Sequence, residues 1–155
     1  PGLDQKTWIS LHDVDAKYTA VVIWESTCGH CKKELPKYKA LYEEWNSKGL
    51  EIFAIGNDFE PEPWQKFVEE QKYTHWINVS DNPLINAQDS ASALIYGGLT
   101  TLKSLNFRTT FDVFATPKVF LLDKNKKIIG KQIGADQLGD LLSKLEEMER
   151  KGIPY

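Results

Sequence analysis

The stretch Tyr18–Pro36, YTAVVIWESTCGHCKKELP, sets an apolar run directly before the only two cysteines of the chain. Tyr18 to Trp24 is rich in β-branched and aromatic residues and reads as a buried strand. Beyond it, Leu35, Tyr38, Leu41, Tyr42 and Trp45 recur at helical spacing. A helix is therefore predicted from about the cysteine pair to Ser47, ended by Gly49. Pro36 lies a few residues inside it, removes an interior hydrogen bond and is expected to bend it. Leu50 to Gly56 is a second strand candidate, so a strand–helix–strand unit with a right-handed crossover and parallel pairing follows.

Farther along, Pro61 and Pro63 suit the loop or first turn of another helix, with Trp64, Phe67 and Val68 on its apolar face. Trp76–Val79 reads as a short strand and Asp81-Asn82-Pro83 as a turn. Residues 84–110 are less regular. Ala87 to Leu94 has a helical pattern, Gly97-Gly98 interrupts it, and Leu99 to Phe107 mixes periods. This stretch reads as an inserted loop or helical excursion that modifies a groove or covers a sheet edge. Lys118–Asp123 and Lys127–Ile133 form a β-hairpin about Lys124-Asn125-Lys126. Leu138, Leu141, Leu142, Leu145 and Met148 then mark a terminal helix. The expected fold is α/β, a central mixed β-sheet with helices on both faces.

At 155 residues the chain suits one domain, 1–155, with a sizeable core. Its apolar and charged fractions, 41% and 26%, are ordinary for a globular protein. A net charge of -3 gives no electrostatic reason to expect nucleic acid or an anionic membrane as partner. No apolar run approaches the length of a membrane span, and Pro1-Gly2 opens no signal-peptide pattern. With no Met at position 1, the chain reads as an excised piece of a longer product. Two cysteines alone do not fix the redox compartment.

Cys28 and Cys31 admit three uses. Structural zinc wants four ligands, whereas this pair supplies two, and His12 and His75 lie on unrelated segments. Haem attachment wants a histidine directly after the second cysteine, where Lys32 stands. A structural disulfide here closes so small a loop that it removes little entropy from the unfolded chain. Redox exchange accounts better for the position. At the start of a helix, unpaired backbone donors and the helix dipole favour thiolate at Cys28. Cys31, one turn inward, can then attack a mixed disulfide. His30 between them, near the helix start, stabilises thiolate by hydrogen bonding or positive charge and leans the pair toward oxidising behaviour. Lys32 and Lys33 add positive potential.

The strand ending in Trp24, then Cys28-Gly29-His30-Cys31, Lys32-Lys33-Glu34 and Leu35-Pro36, resembles the active-site passage of the thioredoxin-like superfamily. It is similar in particular to bacterial envelope thiol–disulfide oxidoreductases of the TlpA/ResA type. Ala115-Thr116-Pro117 before a strand resembles the cis-proline loop of that family, and Gly130 and Gly134 also fit its pattern. The resemblance implies a thioredoxin-like fold, a nucleophilic Cys28 and a resolving Cys31. It also implies a cis bond before Pro117 and a backbone at Thr116 that pairs with an extended substrate peptide. It implies protein substrates with cysteines or disulfides, a membrane-linked electron donor or acceptor, and no metal or diffusible cofactor. The location it implies is the periplasm or cell envelope of a bacterium, in the C-terminal domain of a longer envelope protein.

Some positions depart from the pattern. Glu25 follows the strand tryptophan as either a proton acceptor or a solvent-facing loop residue. Asp58 and Glu60 compete for the place of an acid that manages the proton of Cys31. Two other functions stand as alternatives. One is a redox-weak protein-binding module of a larger envelope lipoprotein. The other is a peroxiredoxin-like peroxidase, whose site has proline, three residues, threonine, two residues and cysteine. Here Thr27 directly precedes Cys28, and no proline lies in the strand upstream.

Overall fold

The computed structural model describes residues 1–80 and 88–154, with the side chains of 88–90 left aside. The turn expected at Asp81-Asn82-Pro83, and Ala87, lie outside the described residues. Five strands form one mixed sheet in the order β3-β2-β1-β4-β5. The central strand β1 (Tyr18–Trp24) is buried along its whole length, Thr19 included, as a strand apolar at its other positions requires. It pairs in parallel with β2 (Leu50–Gly56), from Tyr18 opposite Leu50 to Trp24 opposite Gly56. On its other side β4 (Lys118–Leu122) runs antiparallel to it.

Helix α1 (Gly29–Trp45) connects β1 to β2 and continues through Pro36. A 3₁₀ turn, Asn46–Lys48, extends it to Gly49, whose φ of 99° closes the helix in the left-handed region that glycine tolerates. Helix α2 (Pro61–Glu70) begins on its prolines and leads to β3 (Ile77–Ser80), which pairs in parallel with β2. β3 starts one residue later than the sequence suggested, because Trp76 is still held in a turn by the Tyr73 carbonyl. The irregular stretch is a helical excursion: α3 (Gln88–Tyr96), α4 (Leu102–Leu105) and α5 (Phe107–Thr110).

β5 (Ile128–Lys131) completes the hairpin with β4. The Asp123 carboxylate forms its turn, accepting the backbone N–H groups of Asn125 at 2.8 Å and Lys127 at 3.0 Å. β5 is shorter than Lys127–Ile133 because Gln132 has a φ of 52°, which takes the chain out of the extended region. Helix α6 (Ala135–Arg150) closes the described fold and buries Leu138, Leu142 and Leu145, while Leu141 and Met148 are only half-buried.

The larger core lies on one face of the sheet, where Tyr18, Ala20, Val22 and Trp24 of β1 meet α1, α2 and α6. Trp64 and Val68 of α2 and Leu138 and Leu142 of α6 are wholly buried there. The opposite face carries a smaller cluster of Val21, Ile23, Phe53 and Phe120, covered by Phe107 of α5 and by Leu11 and Val14 near the N-terminus. Helices thus lie on both faces, unequally. The excursion lays its buried residue, Phe107, on that second face, while the free edge of β3 meets the N-terminus through a Gly2–Val79 bridge. No helix among the described residues is long and apolar enough to cross a membrane.

Candidate active site

The site forms where the parallel strands β1 and β2 end and the hairpin strand β4 begins. After Trp24 the chain turns through Glu25, Ser26 and Thr27 and enters α1 with Cys28 as its N-cap. Residues preceding a helix offer acceptors to backbone N–H groups that have no partner within it. Here the acceptor is sulfur: Cys28 Sγ takes the Cys31 N–H at 3.1 Å. Cys28 is half-buried, Cys31 wholly buried, and both thiols are free. Gly29 and His30 are exposed, and a Cβ added at Gly29 would meet nothing within 4 Å.

The loop before β4 closes the other side. The Thr116–Pro117 peptide is cis, both residues are half-buried, and Cys28 Sγ donates to the Thr116 carbonyl at 3.4 Å. Two segments 88 residues apart therefore meet at one sulfur.

The two thiols differ in proton affinity. Partial burial works to raise Cys28, but hydrogen bonds with the Cys31 thiol, the Thr116 side chain and the backbone of Cys31 and His30 outweigh it. Its pKa falls below the ordinary value of 9.0. Cys31 is pushed up to about 12, first by burial and then by its hydrogen bond with Cys28. The Glu25 backbone and the Thr116 side chain oppose that rise. One sulfur is thus accessible and thiolate-prone, and the other is buried and holds its proton.

The remaining expected residues take distinct places. Trp24 is wholly buried, with its ring 5.3 Å from that of Phe67. Glu25 is half-buried, and its carboxylate accepts from the Asn57 side chain at 2.8 Å. Asp58 grips the loop before Cys28, accepting the Ser26 backbone N–H at 3.1 Å and also the Ser26 hydroxyl. Glu60 is exposed at the start of α2, without a capping hydrogen bond from its side chain. Neither acid is among the leading influences on Cys31. Lys32 stands 5.8 Å from the centre of the Phe67 ring, and Lys33 faces solvent.

The Ser26–Asp58 grip went unread in the sequence. Only the bare signal of an acid just beyond a buried strand pointed toward it. Between α1 and the Thr116–Pro117 loop lies a cleft of about 410 Å³, bounded by His30, Glu34 and Tyr38 on one side and by Phe114, Pro117 and Ile133 on the other. Tyr38 spans it, donating to the Ile133 carbonyl at 3.0 Å.

Residues 2–131 match the AhpC/TSA family along their length. The chain belongs to the AhpC/TSA family. Within it, this AhpC/TSA protein is 28% identical over 140 residues to the thiol-disulfide oxidoreductase ResA of Bacillus cereus, an alignment covering 88% of this chain and 68% of that one. Its structure is similar to a domain of a possible thiol-disulfide isomerase from Cytophaga hutchinsonii. The TM-score is 0.75 at 33% identity, over 97% of this chain and 88% of the other. The thioredoxin domain of a thiol-disulfide oxidoreductase from Bacteroides vulgatus gives a TM-score of 0.68 at 26% identity, over 88% and 84% of the two chains. This AhpC/TSA protein therefore has a thioredoxin-like fold, and it is a thiol–disulfide oxidoreductase acting on protein thiols.

Proposed function

We propose that Cys28 is the attacking thiol and Cys31 the resolving thiol of a dithiol–disulfide exchange with protein substrates. The observation that carries this is their asymmetry. Cys28 caps the helix at an accessible position with a lowered pKa, while Cys31 is buried beneath it with a raised one. The Cys28 thiolate attacks one sulfur of a substrate disulfide, forms a mixed disulfide and expels the other sulfur as thiolate. Cys31 then gives up its proton, which the expelled thiolate takes, and attacks Cys28 Sγ. The second substrate thiol leaves, and the Cys28–Cys31 disulfide holds the two electrons' worth of oxidation. The reverse sequence oxidises a substrate dithiol.

The Cys28-adjacent carbonyl of Thr116, opposite Pro117, supports pairing of an extended peptide beside the reacting sulfur. His30, exposed next to the pair, supports an oxidising lean. Glu25 and Asp58 support the loop rather than the thiols, through Asn57 and Ser26 respectively. The kinship with ResA-type enzymes supports a bacterial envelope location and a membrane-linked partner that renews the pair.

Substitution Cys31→Ala should trap substrates on Cys28 as mixed disulfides, visible as reductant-sensitive adducts on a non-reducing gel. Cys28→Ala should trap none. Equal trapping by both variants, or adducts on Cys31 alone, would overturn the assignment.

A further inference from the structure

Lys118, the first residue of β4, is the one charged residue buried among those described, at 9% exposure. It stands opposite Ile23 of β1, and its ammonium lies 6.0 Å from the centre of the Phe120 ring. Residues two apart in a strand share a face, so its stem runs among the apolar residues of the second sheet face. The ammonium donates to the backbone carbonyl of Asp112, which also accepts the Phe114 N–H at 3.0 Å. An apolar residue would fill this place at less cost. A buried ammonium loses its hydration, and a neutral carbonyl restores only part of it.

What the lysine does is tie together the two ends of one loop. Phe111 and Val113 rest on the second face, Phe111 with its ring 6.0 Å from that of Phe120. Asp112 between them turns the chain with a φ of 55°, a region side chains seldom adopt. Phe114 and Ala115 then leave the sheet and are exposed, and Thr116 brings its carbonyl to Cys28 Sγ at 3.4 Å. Lys118 re-enters the sheet and reaches back to the turn.

We propose that Lys118 is a positioning residue for exchange with polypeptides. By gripping the Asp112 carbonyl it fixes the loop, and so the Thr116 backbone, at the place beside Cys28 that an extended peptide needs. The inference rests on Cys28 being the attacking thiol and on Thr116 pairing with the peptide. A loop held in its bound form spares binding the cost of ordering it. A small disulfide has no backbone to pair, so it gains nothing from the loop.

The test compares the full chain, in its dithiol form, with Lys118→Met and Lys118→Arg. Methionine keeps an apolar stem without the ammonium, and the Asp112 carbonyl retains the Phe114 N–H, so no buried acceptor is orphaned. Rate constants are measured with a disulfide joining two short extended peptides and with hydroxyethyl disulfide. Each is divided by the rate of the same disulfide with dithiothreitol and by the Cys28 thiolate fraction, read from ultraviolet absorbance. Lys118→Met should slow the peptide disulfide about tenfold relative to hydroxyethyl disulfide, the scale of one hydrogen bond to a charged group. Lys118→Arg, which keeps a cationic donor, should stay closer to the native ratio than to that of Lys118→Met.

Two further measurements separate positioning from support of the fold. Lys118→Met should keep or raise the urea midpoint, because an apolar chain replaces a buried charge. Deuterium uptake over residues 111–116 should quicken while that of β1 stays the same. An unchanged ratio, equal slowing of both disulfides, a lowered urea midpoint or unchanged uptake over 111–116 in Lys118→Met would overturn the proposal. So would a Lys118→Arg variant that behaves as Lys118→Met does. A native chain with no preference for the peptide disulfide would instead overturn the pairing at Thr116. A native chain that reacts with neither would overturn the role of Cys28.

Discussion

At Cys28 burial and hydrogen bonding pull the same proton in opposite directions, and the hydrogen bonds win. At Cys31 burial is the larger influence and the hydrogen bond with Cys28 adds to it, so the proton stays. The consequence for stability has two signs. Below 9.0 but above the lowered Cys28 pKa, the folded state holds thiolate while the unfolded chain still binds that proton, so stability rises with pH. Between 9.0 and about 12 the unfolded chain releases the Cys31 proton and the folded state keeps it, so stability falls. The dithiol form should therefore be most favoured by this pair near pH 9. Urea unfolding across pH, with Cys28→Ala/Cys31→Ala subtracted to remove the raised tyrosines, isolates that maximum. A difference curve with no maximum near pH 9 would contradict the assignment of the two environments.

At the scale of elements, the site depends on how closely α2 seats on the end of β2. A Cβ placed at Gly56 would lie 2.3 Å from Trp64 Nε1, and Trp64 is wholly buried. No real Cβ contact is that short, so Gly56→Ala must displace either the indole or the strand end. Overpacking of this kind costs about 1–3 kcal/mol. Because Gly56 and Trp64 flank Asp58, the same change should loosen its hold on Ser26 and slow thiol exchange as well as lower the urea midpoint. An alanine variant with unchanged midpoint would mean that α2 accommodates the methyl freely. The elements that could be read in advance are those whose burial leaves a pattern. β1 is apolar at every position but Thr19 because both its faces are covered, and α6 shows its stripe because one face alone is. The excursion was opaque for the converse reason. From Ala91 to Asn106 none of its side chains is buried, so no periodic stripe marks its helices. In the site, the cysteine spacing and the Thr116-Pro117 dipeptide were legible as local motifs. The contact of Asp58 with Ser26, 32 residues apart, exists only after β1 and β2 pair, and no local pattern encodes it.

Across the whole molecule the two faces of the sheet are unequally invested. One carries α1, α2 and α6 over a deep core, in which Leu35, Ile52, Leu121, Leu138 and Leu142 are fully excluded from water. The other is covered by the short α5 and by the N-terminal segment, with Phe107 as the main anchor. The cysteines stand on the invested side, at the head of α1, so Cys28 is positioned by the most strongly packed part of the chain. α3 lies at the opposite extreme, with Ile95 and Tyr96 exposed and no buried side chain from Ala91 to Tyr96. Opening it sacrifices little apolar burial, whereas opening β1 breaks pairing on both sides and both cores at once. Backbone amides from Ala20 to Ile23 should exchange with solvent deuterium only through global unfolding. Those from Leu94 to Tyr96 should exchange at least about a hundredfold faster, through local opening. The comparison is made on one sample by mass spectrometry of peptides covering the two segments. Equal protection in both would show that α3 shares the cooperative unit of the sheet, and that something other than buried side chains holds it there.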